Sequence, residues 1–144
     1  MTPQQTAEAC VAHMLRSDAA SQSMGIAVVA VKPGQATIQL AVTPAMTNGF
    51  DICHGGVIFT FGDSAIAFAA NTYNEVAVLA AASIDLVRSV AIGTILTATA
   101  TEQHRGQRSA LYDVRITDSR DVTIALMRGR CSRLGRPLLP VSAP

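Results

Sequence analysis

Hydrophobic and polar positions along the chain recur with two different periods, and these periods predict the helices and strands. The first pattern has the helical spacing i, i+3, i+4, i+7 and i+8, at Ala7, Cys10, Val11, Met14 and Leu15. Thr2, Pro3 and Gln5 precede it as the N-cap, the first-turn proline and the glutamine of a capping box. We therefore expect the chain to begin with an amphipathic helix.

A period of two residues, typical of strands, follows in the next segment and again in the second half of the chain. The apolar residues 26–31, a Pro-Gly turn and the alternating residues 37–42 predict a β-hairpin. Four further strands are predicted at Val76 to Val87, Thr94 to Glu102, Ser109 to Thr117 and Val122 to Arg130. Short polar loops separate the last three, which indicates an antiparallel meander.

The segment from Gly56 to about Asn71 is apolar on nearly every side and contains no proline, so it predicts a buried helix. The apolar surface of such a helix has to be buried against other elements. The order of elements therefore favours an α+β fold, in which a curved antiparallel sheet wraps around one central helix and a further helix lies at the N-terminus. We expect residues 1–136 to form one domain and residues 137–144, which contain three prolines, to form a flexible tail.

Composition adds a reason to expect more than one copy of the chain. Of its 144 residues, 49% are hydrophobic and 15% charged, with a mean hydropathy of +0.33, which excludes a solvated disordered chain. So much apolar side chain in a 15.0 kDa protein predicts a homo-oligomer. The net charge of +1 and the absence of a nucleic-acid motif argue against nucleic-acid binding.

The location of the protein is also suggested by its sequence. Its three cysteines form no CxxC pair, which suits a reducing compartment, and we expect the protein to be cytoplasmic. The first residues do not resemble a signal peptide, and no apolar run reaches the ~20 residues that a membrane span requires.

Candidate chemistry is concentrated where the buried helix begins. Gly55 and Gly56 are poor helix formers, and without a Cβ they would let a ligand carbonyl approach the free N–H groups and the positive end of the helix dipole. The alternative is a tight turn into the helix. Asp63 is the one ionisable residue of segment 57–70, and a buried carboxylate requires a partner or a task. The alternative for Asp63 is a solvated position at the rim.

The spacing of these residues suggests a site shared between two chains. Gly56 and Asp63 are seven residues apart, which places them on one helix face but about 10 Å apart along the axis. A single small group cannot contact both. Two antiparallel copies related by a two-fold axis would bring Asp63 of one chain to the glycines of the other.

Two other kinds of chemistry are less favoured by the local sequence. Cys53 and His54 are adjacent, and in an extended segment their side chains point to opposite faces, which disfavours a Cys-His nucleophile. No acidic residue or second histidine stands at ligand spacing from His54, so we expect no metal. Phe61 and Phe68 are expected in the core, while Phe50 and Phe59 lie closer to the glycines and could form the wall of an aryl pocket.

At this level of detail the chain resembles a known family. The motifs that carry the resemblance are Asn48-Gly49, His54-Gly55-Gly56, Phe59, Asp63, Asn71, the strand Ser83-Ile84-Asp85-Leu86-Val87-Arg88, and Arg128-Gly129. Together they are similar to the hotdog-fold acyl-CoA thioesterases, and most of all to those of phenylacetic acid degradation. Leu86 stands where this family often has phenylalanine.

The resemblance implies roles for individual residues. The Gly55 N–H would polarise the thioester carbonyl, Asp63 of the opposite subunit would act as general base or nucleophile, and Asn48 and His54 would orient water and substrate. Further candidates for substrate binding are Gly56, Phe50, Phe59, Asn71, Ser83 and Arg88, the last two for the pantetheine and phosphate ends of coenzyme A. No cofactor is implied, because coenzyme A is part of the substrate and product.

The expected function is hydrolysis of aryl acyl-CoA thioesters, phenylacetyl-CoA or its ring-hydroxylated derivatives, in phenylacetate catabolism. The expected assembly is a homodimer with shared sites that pairs into a tetramer. Alternatives are a general or medium-chain acyl-CoA thioesterase, and an acyl-CoA binding module without catalysis on the same fold. A hotdog dehydratase is disfavoured, since the aspartate-histidine pairing of those enzymes is absent around Asp63.

Overall fold

The computed structural model describes residues 1–141, in which a six-stranded antiparallel sheet curves around one long helix. The helices are α1 (Pro3–Ser17), α2 (Ala19–Ser23) and α3 (Gly55–Ala70). The strands are β1 (Ala27–Lys32), β2 (Gln35–Ala41), β3 (Ala77–Leu86), β4 (Ile95–Arg105), β5 (Ser109–Thr117) and β6 (Thr123–Arg133). The predicted architecture of a sheet around a central helix is confirmed.

The strand order places the predicted meander in the middle of the sheet. It runs β1-β2-β4-β5-β6-β3, and all neighbouring strands are antiparallel. Strands β4, β5 and β6 are consecutive, as the alternating pattern predicts. Strand β3 pairs with β6 on the side opposite to β5 and forms one edge of the sheet, while β1 forms the other. The hairpin predicted from residues 26–42 is β1 and β2.

The central helix α3 packs its apolar surface against the concave face of the sheet. Phe61, Ile66 and Phe68 are fully buried there, and the predicted core positions of the two phenylalanines are confirmed. The facing strands contribute Leu96 and Ile116, which are equally buried. A stripe of less buried residues remains on α3, and it includes Gly56 and Asp63.

The N-terminal helices attach to the same helix. Thr2 and Gln5 form the predicted capping box of α1, with the Gln5 N–H 3.1 Å from Thr2 Oγ1 and the Thr2 N–H 2.9 Å from Gln5 Oε1. Helix α2, which the sequence pattern did not predict, is held on α3 by a buried hydrogen bond of 2.9 Å between the Ser21 and Ser64 hydroxyls. Within residues 1–141, no helix is long and apolar enough to cross a membrane.

The first part of the predicted C-terminal tail contacts the body of the protein. Within this tail, Leu139 N–H donates to Asn74 Oδ1 at 2.8 Å. Directly before it, Val76 N–H donates to Arg136 O at 2.9 Å. Residues 142–144, the end of the predicted tail, lie outside the described residues. The domain boundary at residue 136 and the flexibility of the tail stay predictions.

A glycine in β6 allows the close approach between sheet and helix, and its substitution tests this packing. A Cβ added at Gly129 would lie 2.6 Å from Ile66 Cδ1 and 2.8 Å from Leu79 Cδ1. We expect Gly129→Ala to lower the free energy of unfolding by about 1–3 kcal/mol, since extra volume in a packed core forces its neighbours apart. Urea denaturation at fixed protein concentration measures this change.

Gly49→Ala is the matched control, because no heavy atom lies within 4 Å of the added Cβ. Its denaturation midpoint should stay close to that of the wild type. A Gly129→Ala protein as stable as this control would show that helix and sheet are not in close contact here.

Candidate active site

The loop before α3 is fixed by backbone hydrogen bonds to two other segments. Cys53 N–H donates to Val90 O and His54 N–H donates to Met46 O, both at 2.8 Å. A β-bridge between Ile52 and Ala91 adds a second link to the segment that follows β3. The first residue of α3 therefore has a fixed position relative to the end of β3.

Asn48 organises this loop through its side-chain carbonyl. Its Oδ1 accepts hydrogen bonds from the N–H groups of Phe50 at 2.9 Å and Ile52 at 3.4 Å. Asp51, between them, has a positive φ of 59°. The Asn48 Nδ2 group donates to no atom of residues 1–141, so it remains available to a bound molecule.

His54 is the N-cap of α3 and uses one ring nitrogen for that purpose. Its Nδ1 accepts a hydrogen bond of 2.9 Å from Gly56 N–H. In a neutral imidazole the nitrogen that accepts carries no proton, so Nε2 carries it and acts as a donor. The ring is exposed to solvent, and Gly56 N–H is occupied by the cap.

The Gly55 N–H group is the free donor at this helix end. It is the first N–H of α3, and no atom within the described residues accepts a hydrogen bond from it. The helix dipole makes this position favourable for negative charge. A Cβ added at Gly55 would lie 2.8 Å from Leu86 Cδ1, so the leucine side chain would have to shift. A carbonyl oxygen that develops negative charge would be stabilised at this point.

Asp63 is half-buried and has neither a hydrogen bond nor an ion pair with any described residue. Burial raises the pKa of its carboxyl group, and the nearby Asp18 carboxylate raises that pKa further. Its other titratable neighbour is Cys131, whose own thiol pKa is raised to about 11 by burial and by Asp63. No described residue pairs with the Asp63 carboxylate, and a half-buried carboxylate with a raised pKa is a candidate for a functional role.

These two features lie too far apart to act on one group within one chain. Gly55 and Asp63 are separated by eight residues of α3, which correspond to about 12 Å along the helix axis. A reacting carbonyl has to lie within roughly 3 to 3.5 Å of both its donor and its nucleophile. The single chain therefore presents two half-sites, one with the donor and one with the carboxylate.

Three further residues named from the sequence lie at the same end of the fold. Phe50 is 84% exposed in the loop, which is unusual for an aromatic side chain that has no partner. Phe59 is partly buried against the core on α3. Arg88 follows β3 and borders a surface hollow together with Arg120.

Asn71 and Ser83 lie apart from this end. Asn71 is the C-cap of α3 and only 2% exposed. Its side-chain amide bonds the backbone of Ala67 and Ala77 at 2.8 to 3.0 Å, so it serves to end the helix and is not accessible to a substrate in this structure. Ser83 lies on β3 opposite Arg128 and lines a groove on the outer face of the sheet.

The structure gives no support to a cysteine nucleophile. Cys53 is buried, and burial raises the pKa of its thiol, which keeps it protonated at neutral pH. Its Sγ–H group points to the His54 carbonyl oxygen at 3.8 Å, not to the imidazole. Within residues 1–141, no group of three His, Cys, Asp or Glu side chains is arranged to hold a metal ion.

Two contacts at the site were not foreseen from the sequence. Leu86 packs against Gly55, although the two residues are far apart in the chain. The alternation of β3, which turns Leu86 to the same face as the half-buried Ile84, was the available signal. Asp18 is the N-cap of α2, where its side chain accepts a hydrogen bond from Ser21 N–H, and its carboxylate also raises the pKa of Asp63. The Asp-x-x-Ser spacing of this cap is visible in the sequence.

The chain is similar to several known proteins. Residues 50–125 match the family model of the thioesterase superfamily. The acyl-coenzyme A thioesterase PaaI of Escherichia coli (strain K12) is 38% identical over 122 residues, which cover 85% of this chain and 87% of that protein. The 1,4-dihydroxy-2-naphthoyl-CoA hydrolase of Listeria monocytogenes is 27% identical, over 74% of this chain and 89% of that one.

A solved structure extends the comparison to the fold. The E. coli PaaI protein from the phenylacetic acid degradation operon superposes with a TM-score of 0.92 and 34% identity, over 94% of this chain and 99% of that one. This match confirms the hotdog fold predicted from the sequence.

The unpaired state of Asp63 predicts how stability depends on pH. Because the pKa of Asp63 is higher in the folded than in the unfolded chain, the native state loses stability as the pH rises from about 4 through the folded pKa. We expect Asp63→Asn to raise the melting temperature at neutral pH, with a gain that shrinks as the pH falls toward about 4.

Asp113→Asn is a control for which the melting temperature should change in the opposite direction. The hydrogen bonds from Arg128 lower the pKa of Asp113 in the folded state, so its charged form stabilises the fold. The substitution should lower the melting temperature at neutral pH. Thermal melts of both variants from pH 4 to 8 make the comparison, and a neutral or negative effect of Asp63→Asn at pH 7.5 would mean that the carboxylate is paired in solution.

Proposed function

The chain belongs to the thioesterase superfamily, and from this premise we propose that it hydrolyses aryl acyl-CoA thioesters, with phenylacetyl-CoA or a ring-hydroxylated derivative as substrate. The observation that carries the proposal is the pair of half-sites on α3: a free N–H at Gly55 and an uncompensated carboxylate at Asp63. These are the two groups that hydrolysis of a thioester requires, a donor for the oxyanion and a base or nucleophile.

In the proposed reaction the thioester carbonyl oxygen accepts a hydrogen bond from Gly55 N–H. Attack on the carbonyl carbon moves the π electrons to this oxygen, and the donor and the helix dipole stabilise the negative charge that forms. The loss of one such donor costs about 10²–10³ in kcat in other hydrolases. The tetrahedral intermediate then collapses, expels coenzyme A as a thiolate that takes up a proton, and leaves the free acid.

Asp63 acts as general base on the attacking water or attacks the carbonyl carbon itself. As a base it takes one proton from water, and the hydroxide adds to the carbonyl carbon. As a nucleophile it forms an anhydride with the acyl group, which water then hydrolyses. The raised pKa of Asp63 suits the first role, because a base whose pKa approaches the working pH accepts a proton more readily.

Two copies of the chain provide one complete site. We propose a homodimer in which α3 of one protomer runs antiparallel to α3 of its partner, so that Gly55 of one lies near Asp63 of the other. The edge strand β3 supports this assembly, because residues 80–83 at its centre are exposed and a second copy would cover its unpaired backbone groups. We further propose that two such dimers pair into a tetramer.

His54 and Asn48 supply the remaining polar groups of the site. With His54 Nδ1 bound to Gly56 N–H, the Nε2–H is a donor on the exposed side of the ring. The free Asn48 Nδ2 belongs to the same loop. We assign both groups to the orientation of substrate and water, and we assign Arg88 to the phosphates of coenzyme A, since a guanidinium group binds phosphate with two parallel hydrogen bonds.

The preference for an aryl acyl group is supported by two kinds of observation. The names of the E. coli and Listeria relatives describe an acyl-CoA thioesterase and a naphthoyl-CoA hydrolase. Phe50, which is 84% exposed in a single chain, and Phe59 on α3 provide aromatic surface near the donor. We propose a cytoplasmic enzyme that needs neither metal nor cofactor and that releases coenzyme A from aryl thioesters.

A panel of acyl-CoA substrates tests the assignment. Release of coenzyme A is followed with a thiol reagent for acetyl-, hexanoyl-, octanoyl-, benzoyl-, phenylacetyl- and hydroxyphenylacetyl-CoA. We expect kcat/KM to be at least about tenfold higher for the phenylacetyl compounds, because a matched pocket gains roughly 1–3 kcal/mol from a fitting hydrophobic group. Preference for hexanoyl- or octanoyl-CoA would favour a medium-chain thioesterase instead, and binding without turnover of any substrate would favour an acyl-CoA binding module.

Mixing of two inactive variants tests the shared site. Asp63→Asn should lower kcat by about 10²–10⁴, the usual contribution of a general base. Gly55→Val should lower it as well, by moving the donor. A mixed dimer with one variant in each chain has one site with both defects and one intact site, so co-refolding at equal amounts should recover about a quarter of wild-type activity.

The matched control is Asp85→Asn, because Asp85 lies on β3 and lines the outer face of the sheet, away from α3. This variant should keep wild-type kcat. If each chain builds its own complete site, no mixture of the two inactive variants recovers turnover.

A further inference from the structure

We infer that Leu86 selects for acyl groups with an unsubstituted α-carbon, by occupying the space beside the thioester carbonyl. This inference rests on the proposed function, since it takes the carbonyl to be bound at Gly55 N–H. The starting observation is the contact between Leu86 Cδ1 and Gly55, where a Cβ on the glycine would lie only 2.8 Å from the leucine methyl. The leucine side chain thus covers the residue that holds the reacting group.

The position of Leu86 relative to the donor is fixed by the backbone. Leu86 is the last residue of β3 and pairs with Ala125 of β6. Directly after it, the N–H groups of Val87 and Arg88 both donate to Ile124 O, at 2.8 and 3.2 Å. The Cys53 N–H bond to Val90 O ties this segment to the start of α3. Leu86 and Gly55 therefore belong to one rigid unit.

Leu86 reaches into the space where a substrate would lie. Although it touches Gly55, its side chain is 50% exposed, so one side of it contacts the protein and the other faces open space. A carbonyl oxygen about 2.9 Å from the Gly55 nitrogen is held by the residue that Leu86 Cδ1 contacts. We therefore place the first acyl carbon atoms beside the leucine side chain, which would limit their width.

The expected steric effect depends on whether the α-carbon of the acyl group carries a branch. A CH₂ next to the carbonyl, as in butyryl or phenylacetyl, needs little width at this point. A methyl branch on the same carbon, as in isobutyryl or 2-phenylpropionyl, has to displace the leucine side chain. Discrimination for or against a single methyl group in a pocket is commonly about 10–200-fold.

Leu86→Ala and Leu86→Phe test the inference with pairs of substrates that have or lack a methyl branch on the α-carbon. The measured quantity is the ratio of kcat/KM for isobutyryl-CoA over butyryl-CoA, and likewise for 2-phenylpropionyl-CoA over phenylacetyl-CoA. Removal of the isopropyl group in Leu86→Ala should raise both ratios about tenfold, and Leu86→Phe should lower them. A ratio reports selectivity and is insensitive to a uniform loss of active enzyme.

Leu126→Ala is the matched control. Leu126 is a leucine of similar exposure, 47%, on the strand next to β3. It pairs with Asp85, whereas Leu86 pairs with the buried Ala125, so Leu126 faces the outer side of the sheet, away from Gly55. Its ratios should equal those of the wild type.

The outcomes separate this inference from the proposed function. Wild-type hydrolysis of the unbranched esters with unchanged ratios in Leu86→Ala would overturn the inference and leave the function intact. Failure of the wild type to hydrolyse any of the four esters would overturn the function itself. Should Leu86→Ala not fold, Leu86→Val, which keeps the apolar contact and shortens the side chain, should raise the ratios in the same direction, and unchanged ratios there would equally overturn the inference.

Discussion

The burial of one almost entirely apolar helix is the constraint on which the structure depends. Helix α3 has no charged residue except Asp63, and a sheet curved around it is the means by which a chain of this size covers it. The curved sheet does not fully cover one stripe along α3, which runs from Gly56 to Ala67. The helix that holds the core together is thus also the helix that presents polar groups to the outside, and the stability of the fold fixes their positions.

The geometry of this helix is the reason why we assign the proposed function to an assembly of two chains. A straight helix places Gly55 and Asp63 about 12 Å apart, and no adjustment of side chains closes that distance for one carbonyl group. The half-buried carboxylate of Asp63 pairs with no residue of 1–141, and the edge strand β3 has unpaired backbone groups. A second copy related by a two-fold axis would bring the Gly55 donor of one chain to Asp63 of the other and would cover the open edge of β3. For this reason we propose it as part of the active site.

Sequence reasoning was accurate where structure follows from local pattern and failed where it follows from contacts between distant segments. The central helix was predicted within one residue of its observed start and end, and the capping box of α1 was correct, because both depend on neighbouring residues. The contact of Leu86 with Gly55 joins the end of β3 to the start of α3. The alternation of β3 indicates the face on which Leu86 lies, but it does not identify the residue that Leu86 contacts there. Asn71 shows the same limit, since its role in ending the helix depends on Ala77 across a turn.

His54 illustrates how one local interaction serves both the fold and the proposed chemistry. As N-cap it satisfies Gly56 N–H, one of the unpaired donors of a helix start. The same bond selects the imidazole tautomer, because the nitrogen that accepts cannot carry the proton. It also leaves Gly55 N–H as the unpaired donor beside it. The cap therefore decides which N–H is free and which ring nitrogen can donate, and these are the two hydrogen-bond donors that a thioester carbonyl and its attacking water would meet at the start of α3.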